Sequence, residues 1–211
     1  MKENVKLIHS TLDGDELITY MARVSNPSGQ DKPPGKLIKY LIKHKHWSPF
    51  EMVNMCVQID TTRSVASQIL RHRSFSFQEF SQRYADVSQL GLPPIPNLRR
   101  QDLKNRQNSV DDLNQQSVEI WNRMIEDQFD KSNALYHLLL DNGVAKECAR
   151  DVLPLASPTR LYMNGTLRSW MHYCDLRCAN GTQLEHQHIA QQCKSLIENQ
   201  FPEVYNAWKT D

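Results

Sequence analysis

The sequence predicts an α+β fold, a mostly helical single domain with few strands over residues 1–211. One tract of strict alternation, two long tracts of helical spacing and a scarcity of glycine lead to it. Val53, Met55, Val57 and Ile59 alternate with Asn54, Cys56, Gln58 and Asp60, which makes Glu51–Asp60 a half-buried strand. Leu113, Val118, Trp121, Met124, Ile125, Phe129, Leu135, Leu138 and Leu139 recur at helical spacing from about Val110 to Leu140, and a last long helix covers Thr182–Asn199. Only seven glycines occur and none forms Gly-x-Gly, so a glycine-rich phosphate loop of the dinucleotide or P-loop type is excluded.

Taken in order, Val5–Ser10 reads as a short strand, Asp13-Gly14-Asp15 as a turn, and Glu16–Val24 as a helix with Leu17, Tyr20, Met21 and Val24 on one face. Asn26–Gly35 is loop on composition, followed by a helix through Leu37, Tyr40 and Leu41 that stops between His44 and Pro49. Thr61 or Thr62 caps the helix carrying Val65, Ile69 and Leu70, with Gln68 and Arg71 near its end. Leu92–Pro96 is a proline-rich connection, and Asn142-Gly143 ends the long helix. Val144–Val152 is a short helix stopped by Pro154 and Pro158, and Asn164-Gly165-Thr166 starts a helix bearing Leu167, Trp170, Met171 and Cys174. The long helix around Trp121 is expected to serve the core or a subunit interface.

Lys and Arg total 25 against 24 Asp and Glu, so the chain carries no global attraction to nucleic acid or an anionic membrane. No apolar run approaches the ~18 residues of a membrane span, and Met1–Asn4 opens no signal-peptide core. A cytoplasmic protein with free thiols at Cys56, Cys148, Cys174, Cys178 and Cys193 is expected. Cys174 and Cys178, with His172, His186 and His188, lack zinc-site spacing, so no metal is expected.

Chemistry concentrates between Arg71 and Arg83. Arg71, His72, Arg73 and Arg83 make a local positive field in which Glu79 is the only acid, and Ser81 adds a hydroxyl of the sort that fixes a phosphate. A solvated helix end is the plain alternative, but Phe75, Phe77 and Phe80 are too apolar for a solvated face. A single-strand or RNA-binding module, with arginines on phosphates and these rings on bases, is a second alternative, opposed by the neutral total charge. A nucleotide-binding relative without catalysis is a third.

Arg-His-Arg, seven residues, Ser81 and then Arg83 resembles the signature of the flavin-dependent thymidylate synthases, the ThyX family. His46-Trp47-Ser48-Pro49-Phe50-Glu51, Gln68 before Arg71, Ala149-Arg150-Asp151-Val152-Leu153-Pro154, and Gly165–His172 through Leu176-Arg177 are similar to further family segments in order and spacing, covering residues 40–200. The resemblance implies a small antiparallel sheet at the centre of a ThyX-like fold. It also implies a homotetramer with active sites shared between subunits, and FAD, dUMP, methylenetetrahydrofolate and NADPH as participants in dTMP synthesis. It places Ser48, Arg71, His72, Arg73, Glu79, Thr166, Arg168 and His172 on the flavin. Gln68, Arg71, Glu79, Ser81, Gln82, Arg83, Arg150 and Arg177 fall on dUMP, and His46 near the flavin and folate, with Arg177 and His46 the expected catalytic residues. Gln78 stands where many members have Asn, and Thr166 and His172 where some do.

The resemblance implies no enzyme nucleophile, which makes Cys148, close to Arg150, a buried packing cysteine in expectation. Arg177 is expected to stabilise negative charge on the uracil ring and so activate carbon-5. On an ideal helix Arg168 and His172 share a face, whereas Arg177, nine residues beyond Arg168, points about 180° away. Either the helix ends before Arg177 or its two faces serve different subunit interfaces; the second is predicted. Arg99, Arg100, Lys104 and Arg106 form a second basic cluster, expected to be solvated surface, with a folate or NADPH contact as the weaker alternative.

Overall fold

The computed structural model describes residues 3–209. Strand β1 (Asn4–Ser10) leads through helix α1 (Gly14–Ala22) and helix α2 (Gly35–Lys43) to strand β2 (Asn54–Thr62) and helix α3 (Arg63–Ile69). Strand β3 (Ser76–Glu79) follows, then a hairpin of β4 (Arg100–Gln101) and β5 (Ser109–Val110), then the long helix α4 (Gln115–Asp141) and the single turn α5 (Lys146–Ala149). Strand β6 (Pro158–Thr166), α6 (Leu167–Arg177), α7 (Leu184–Gln200) and α8 (Pro202–Trp208) complete the chain. One antiparallel sheet of order β1-β2-β6-β3 organises these elements, as expected of the fold class.

The alternation in β2 works as expected: every second residue is buried, and the strand starts only at Asn54 because Ser48–Glu51 coil into a 3-10 turn. Beside it lies β6, which was not predicted. Pro158 looked like a breaker but occupies the first strand position, where its missing N–H does no harm. From there Leu161, Met163 and Gly165 turn inward while Arg160 and Tyr162 stay exposed. The long helix starts at Gln115 rather than Val110 because Asn114 caps it, accepting from the Ser117 N–H at 3.1 Å. Likewise α8 was not expected: its first N–H groups are held from far away by the buried carboxylate of Asp15, with bonds of 2.8 Å from Glu203 and 3.2 Å from Val204.

Met55, Val57, Ile59, Leu161 and Met163 form the sheet's buried face, covered by Trp170 and Tyr173 of α6, Ile189, Cys193 and Ile197 of α7, and Phe50 and Phe201. Trp170 is fully buried and donates from Nε1 to the Met55 carbonyl at 2.9 Å, which locks α6 to the sheet. The C-terminal half of α4 packs in a smaller cluster, its Tyr136 with Val87 and Ala149. Trp121, on the N-terminal half, is 43% exposed, so within this chain it is not core. All five cysteines are free, yet Cys148 is exposed rather than buried, because on the one-turn α5 the inward position goes to its neighbour Ala149. No helix among the described residues is long and apolar enough to cross a membrane.

Candidate active site

At the end of α3 the chain tightens into a turn, with Arg71 N–H bonding the Gln68 carbonyl and His72 N–H that of Ile69. The turn is pinned by Phe75, whose ring meets Trp170 edge-on at 4.8 Å and packs directly against Gly165. A Cβ on Gly165 would stand 2.4 Å from that ring, so only glycine lets β6 pass beneath it. Pinned this way, Arg71 and Arg73 face outward, and among the described residues neither guanidinium has a hydrogen bond or ion pair. Phe75 is buried, and Phe77 and Phe80 are half-buried, so only part of the latter two rings faces solvent.

His72 turns inward. Its ring sits 4.9 Å from that of Tyr173, and its Nε2 accepts from Arg177 Nε at 2.9 Å. Burial, the Arg177 charge and His172 lower its pKa from 6.5 to about 4, so at neutral pH it is an uncharged acceptor and adds nothing to the positive field of its two neighbours. Arg177 thereby spends Nε on His72, and among the described residues its two terminal nitrogens have no hydrogen bond. Gln68 stands beside this pair, with His186 Nδ1 at 3.4 Å and Gln183 at 2.6 Å.

His186, weighed in the sequence only as a metal-ligand type, is therefore part of the candidate site. It is fully buried, with Nε2 3.1 Å from the Tyr173 hydroxyl. Burial first, then the charges of Arg177 and His72, push its pKa from 6.5 down to about 3. A base with a depressed folded-state pKa contributes stability that is present above the unfolded value and lost as pH falls toward the folded one. Urea unfolding should show stability falling by about 1.4 kcal/mol per pH unit from His186 between roughly pH 6 and 4, and His186→Leu should flatten that slope. An unchanged slope in the variant would contradict the burial of a neutral imidazole here.

On the other flank of α6 lies a cavity of about 520 Å³ lined by Trp47, Glu51, Ser74, Arg168, His172 and Trp208 among others. Arg168 donates to the Glu51 carboxylate, and Thr166 caps the helix by accepting from the Ser169 N–H at 3.2 Å. Ser48 and His46, both exposed, sit in and just before the turn that ends at Glu51. The helix runs unbroken through Arg177, so the alternative that it ends earlier is removed and Arg168 and Arg177 do occupy opposite flanks.

A third group gathers beyond β3. Glu79 accepts from Arg63 at 3.2 Å and from the Thr159 hydroxyl at 2.9 Å. Arg63, Gln82 and Arg150 line a cavity of about 380 Å³ with Asp151 and Ser157. Ser81 accepts from the Arg83 N–H at 3.4 Å, and Arg83 pairs with Glu147 at 3.0 Å. Arg63 was missed in the sequence because it follows the two threonines expected to cap α3 and looks like an ordinary first-turn residue; Thr62 does stand at the cap position, but its hydroxyl meets Ser64 Oγ at 2.7 Å and makes no cap bond to a helix N–H. The residues expected at one active site thus fall into three separate groups on one chain.

Arg100, Lys104 and Arg106 of the second basic cluster are exposed, as expected of solvated surface, and only Arg99 is drawn in. Arg99 holds Glu185 with two bonds of 2.8 and 3.1 Å, its side chain only 11% exposed, and Arg100 holds Asp112 with two bonds of 2.8 and 2.5 Å. Burial opposes ionisation of Glu185, but hydrogen bonds from Arg99 and Gln183 outweigh it and keep its pKa below the ordinary value. The Arg99 guanidinium is committed to a partly buried carboxylate rather than offered to a folate or a phosphate, whereas Arg100 and Asp112 form an exposed surface pair.

The profile of the family described as thymidylate synthase complementing protein matches residues 6–203. A probable flavin-dependent thymidylate synthase of Paramecium bursaria Chlorella virus 1 is 49% identical over 195 residues, spanning 92% of this chain and 89% of the relative. The flavin-dependent thymidylate synthase of Synechocystis sp. is 45% identical over 203 residues, spanning 96% and 93%. The crystal structure of the UMP/dUMP methylase PolB from Streptomyces cacaoi bound with 5-Br dUMP superposes with a TM-score of 0.86 at 25% identity, covering 99% of this chain and 95% of that one. Fold and sequence together define a flavin-dependent enzyme of pyrimidine-nucleotide methylation. The chain belongs to the flavin-dependent thymidylate synthase family, whose reaction converts dUMP to dTMP.

Proposed function

We propose that the chain acts as one catalytic domain that methylates dUMP reductively, with methylenetetrahydrofolate as carbon donor and NADPH-reduced FAD as hydride source. No enzyme nucleophile takes part. The enzyme is a cytoplasmic homotetramer whose active sites draw on several subunits, with no nucleic-acid or membrane partner. The observation that carries the reaction is Arg177, held by neutral His72 through Nε with both terminal nitrogens unused among the described residues. A guanidinium so held offers a fixed pair of donors to the N3 and carbonyl edge of a uracil, where it stabilises negative charge and raises the nucleophilicity of carbon-5. The separation of Arg168, Arg177 and Arg150 into three groups on one chain supports sites completed by other subunits.

The residues present suit a flavin dinucleotide. Arg71 and Arg73, unpaired among the described residues, match a diphosphate, and Trp47 and Trp208 wall the neighbouring cavity with aromatic surface. In this reading Ser48, Arg71, His72, Arg73, Glu79, Thr166, Arg168 and His172 hold FAD, which when bound and reduced supplies the hydride. Gln68, Arg71, Glu79, Ser81, Gln82, Arg83, Arg150 and Arg177 hold dUMP, and His46 faces flavin and folate. Arg63 joins the dUMP set: with Arg150 it places two cations on one cavity, a match for the nucleotide phosphate.

Purified protein should be yellow, with an absorbance band near ~450 nm released on denaturation. Colourless protein that FAD cannot reconstitute overturns the reading. Cys148→Ser should leave dTMP formation at the wild-type rate, since no thiolate attack is required. Loss of turnover in a folded Cys148→Ser variant would mean that this enzyme uses a nucleophile after all.

A further inference from the structure

Glu185 and His186 lie on α7, and neither is among the residues assigned above to substrate or flavin. A run of hydrogen bonds nevertheless ties both to Gln68. Glu185 is ion-paired with Arg99, and a carboxylate can only accept. Gln183 must therefore turn its amide nitrogen toward Glu185, where Nε2 stands 2.9 Å from Oε2, and its carbonyl oxygen toward Gln68. Gln68 must then donate from Nε2 to that oxygen, at 2.6 Å, which leaves its own Oε1 toward His186. Facing an oxygen at 3.4 Å, His186 Nδ1 carries the proton, so Nε2 is bare and the Tyr173 hydroxyl, 3.1 Å away, donates to it. Each link has one donor and one acceptor only if all point the same way. Reversing any one amide sets two like ends against each other.

The direction of the whole run is thus fixed by the Arg99–Glu185 ion pair at one end. It settles which end of the Gln68 carboxamide is which. One N–H of Gln68 Nε2 remains without a partner among the described residues. The nucleotide carries acceptor oxygens on both its ring and its phosphate, so this orientation presents the complementary group.

We propose that Glu185, acting through Gln183, and His186 are positioning residues that lock Gln68 with an N–H toward the pyrimidine nucleotide. This rests on the reading that Gln68 contacts dUMP. Neither residue touches substrate itself, so removing either lets the Gln68 amide turn and weakens nucleotide binding without altering flavin binding.

The test is dUMP binding to the flavin-loaded full chain by calorimetry, alongside flavin affinity and Tm, for Gln68→Ala, His186→Leu, His186→Asn and Glu185→Gln. His186→Leu and Glu185→Gln should each raise the dUMP Kd about tenfold with the flavin Kd unchanged. His186→Asn should recover most of the loss, because its side-chain N–H falls where Nδ1–H stood, a rescue that a purely structural role would not show. Should His186→Leu fail to fold, Glu185→Gln and His186→Asn carry the comparison. Wild-type dUMP affinity in a folded His186→Leu or Glu185→Gln, or an Asn variant as weak as Leu, overturns the proposal. If Gln68→Ala itself leaves dUMP affinity unchanged, the contact reading falls and the positioning role with it. If Gln68→Ala weakens binding while the others are silent, the positioning role alone falls.

Discussion

Arg177→Ala abolishes dTMP formation, lowering kcat by about 10³-fold, while the protein stays folded and yellow. The size follows from what the side chain is held to do: a donor fixed toward developing negative charge in a dry site is worth about 10²–10³ in rate, and a guanidinium carries a full charge besides. The selectivity follows from placement. Arg177 is on the flank of α6 opposite Arg168, so its loss leaves the cavity of Trp47, Arg168 and His172 untouched, and of the residues assigned to the flavin only His72 loses a hydrogen-bond partner. Arg177→Lys should rescue little, because an ammonium cannot bond His72 and present two further planar donors together. Single-turnover measurement of dTMP, with the flavin spectrum recorded in the same sample, checks both halves. A variant that keeps turnover within about tenfold would remove Arg177 from the chemistry.

Gly165→Ala should lower both stability and flavin affinity. The added methyl group meets Cδ1, Cε1 and Cγ of Phe75 at 2.4, 2.6 and 3.3 Å, so the whole ring must move rather than a flexible tip. That ring is confined by Trp170 at 4.8 Å, Tyr173 at 5.9 Å and Phe77 at 6.2 Å. Overpacking of this kind costs about 1–3 kcal/mol, or roughly 3–10 °C in Tm for a chain of this size. Phe75 anchors the turn that holds Arg71 and Arg73, so the flavin Kd should rise about tenfold or more alongside. Replacement of Phe75 by Leu in the same chain should recover part of the stability by making room. A Gly165→Ala variant with wild-type Tm would show that the ring has slack it does not display.

Much of this was legible in the sequence where the cause is local. Alternation alone marks β2, the Asn164-Gly165-Thr166 entry marks the start of α6, and the spacing from Arg168 to Arg177 already separates two flanks of one helix. What was missed depends on distant partners. Strand β6 hid behind Pro158, whose position at the strand's first residue matters only once β2 is beside it. Helix α8 relies on Asp15, 188 residues earlier for the nearer of its two bonds. Within the site, the Arg-His-Arg segment announced itself by charge, but the inward turn and neutrality of His72 depend on Arg177 and Tyr173. Nothing in the neighbourhood of His186 or Glu185 marks either residue as tied to Gln68, more than 100 positions away.

The unbroken course of α6 sets a limit on how this sequence can vary over generations. Each residue added to a helix rolls everything after it by about 100°. One insertion between His172 and Arg177 would carry Arg177 away from His72 and bring a different side chain to that place, with Trp170 still fastened to the sheet. Insertions and deletions should therefore be tolerated in Leu92–Pro96 or in the hairpin between β4 and β5, where no flank has to be kept in phase. Between Arg168 and Arg177 the number of residues should matter to the site as much as their identity.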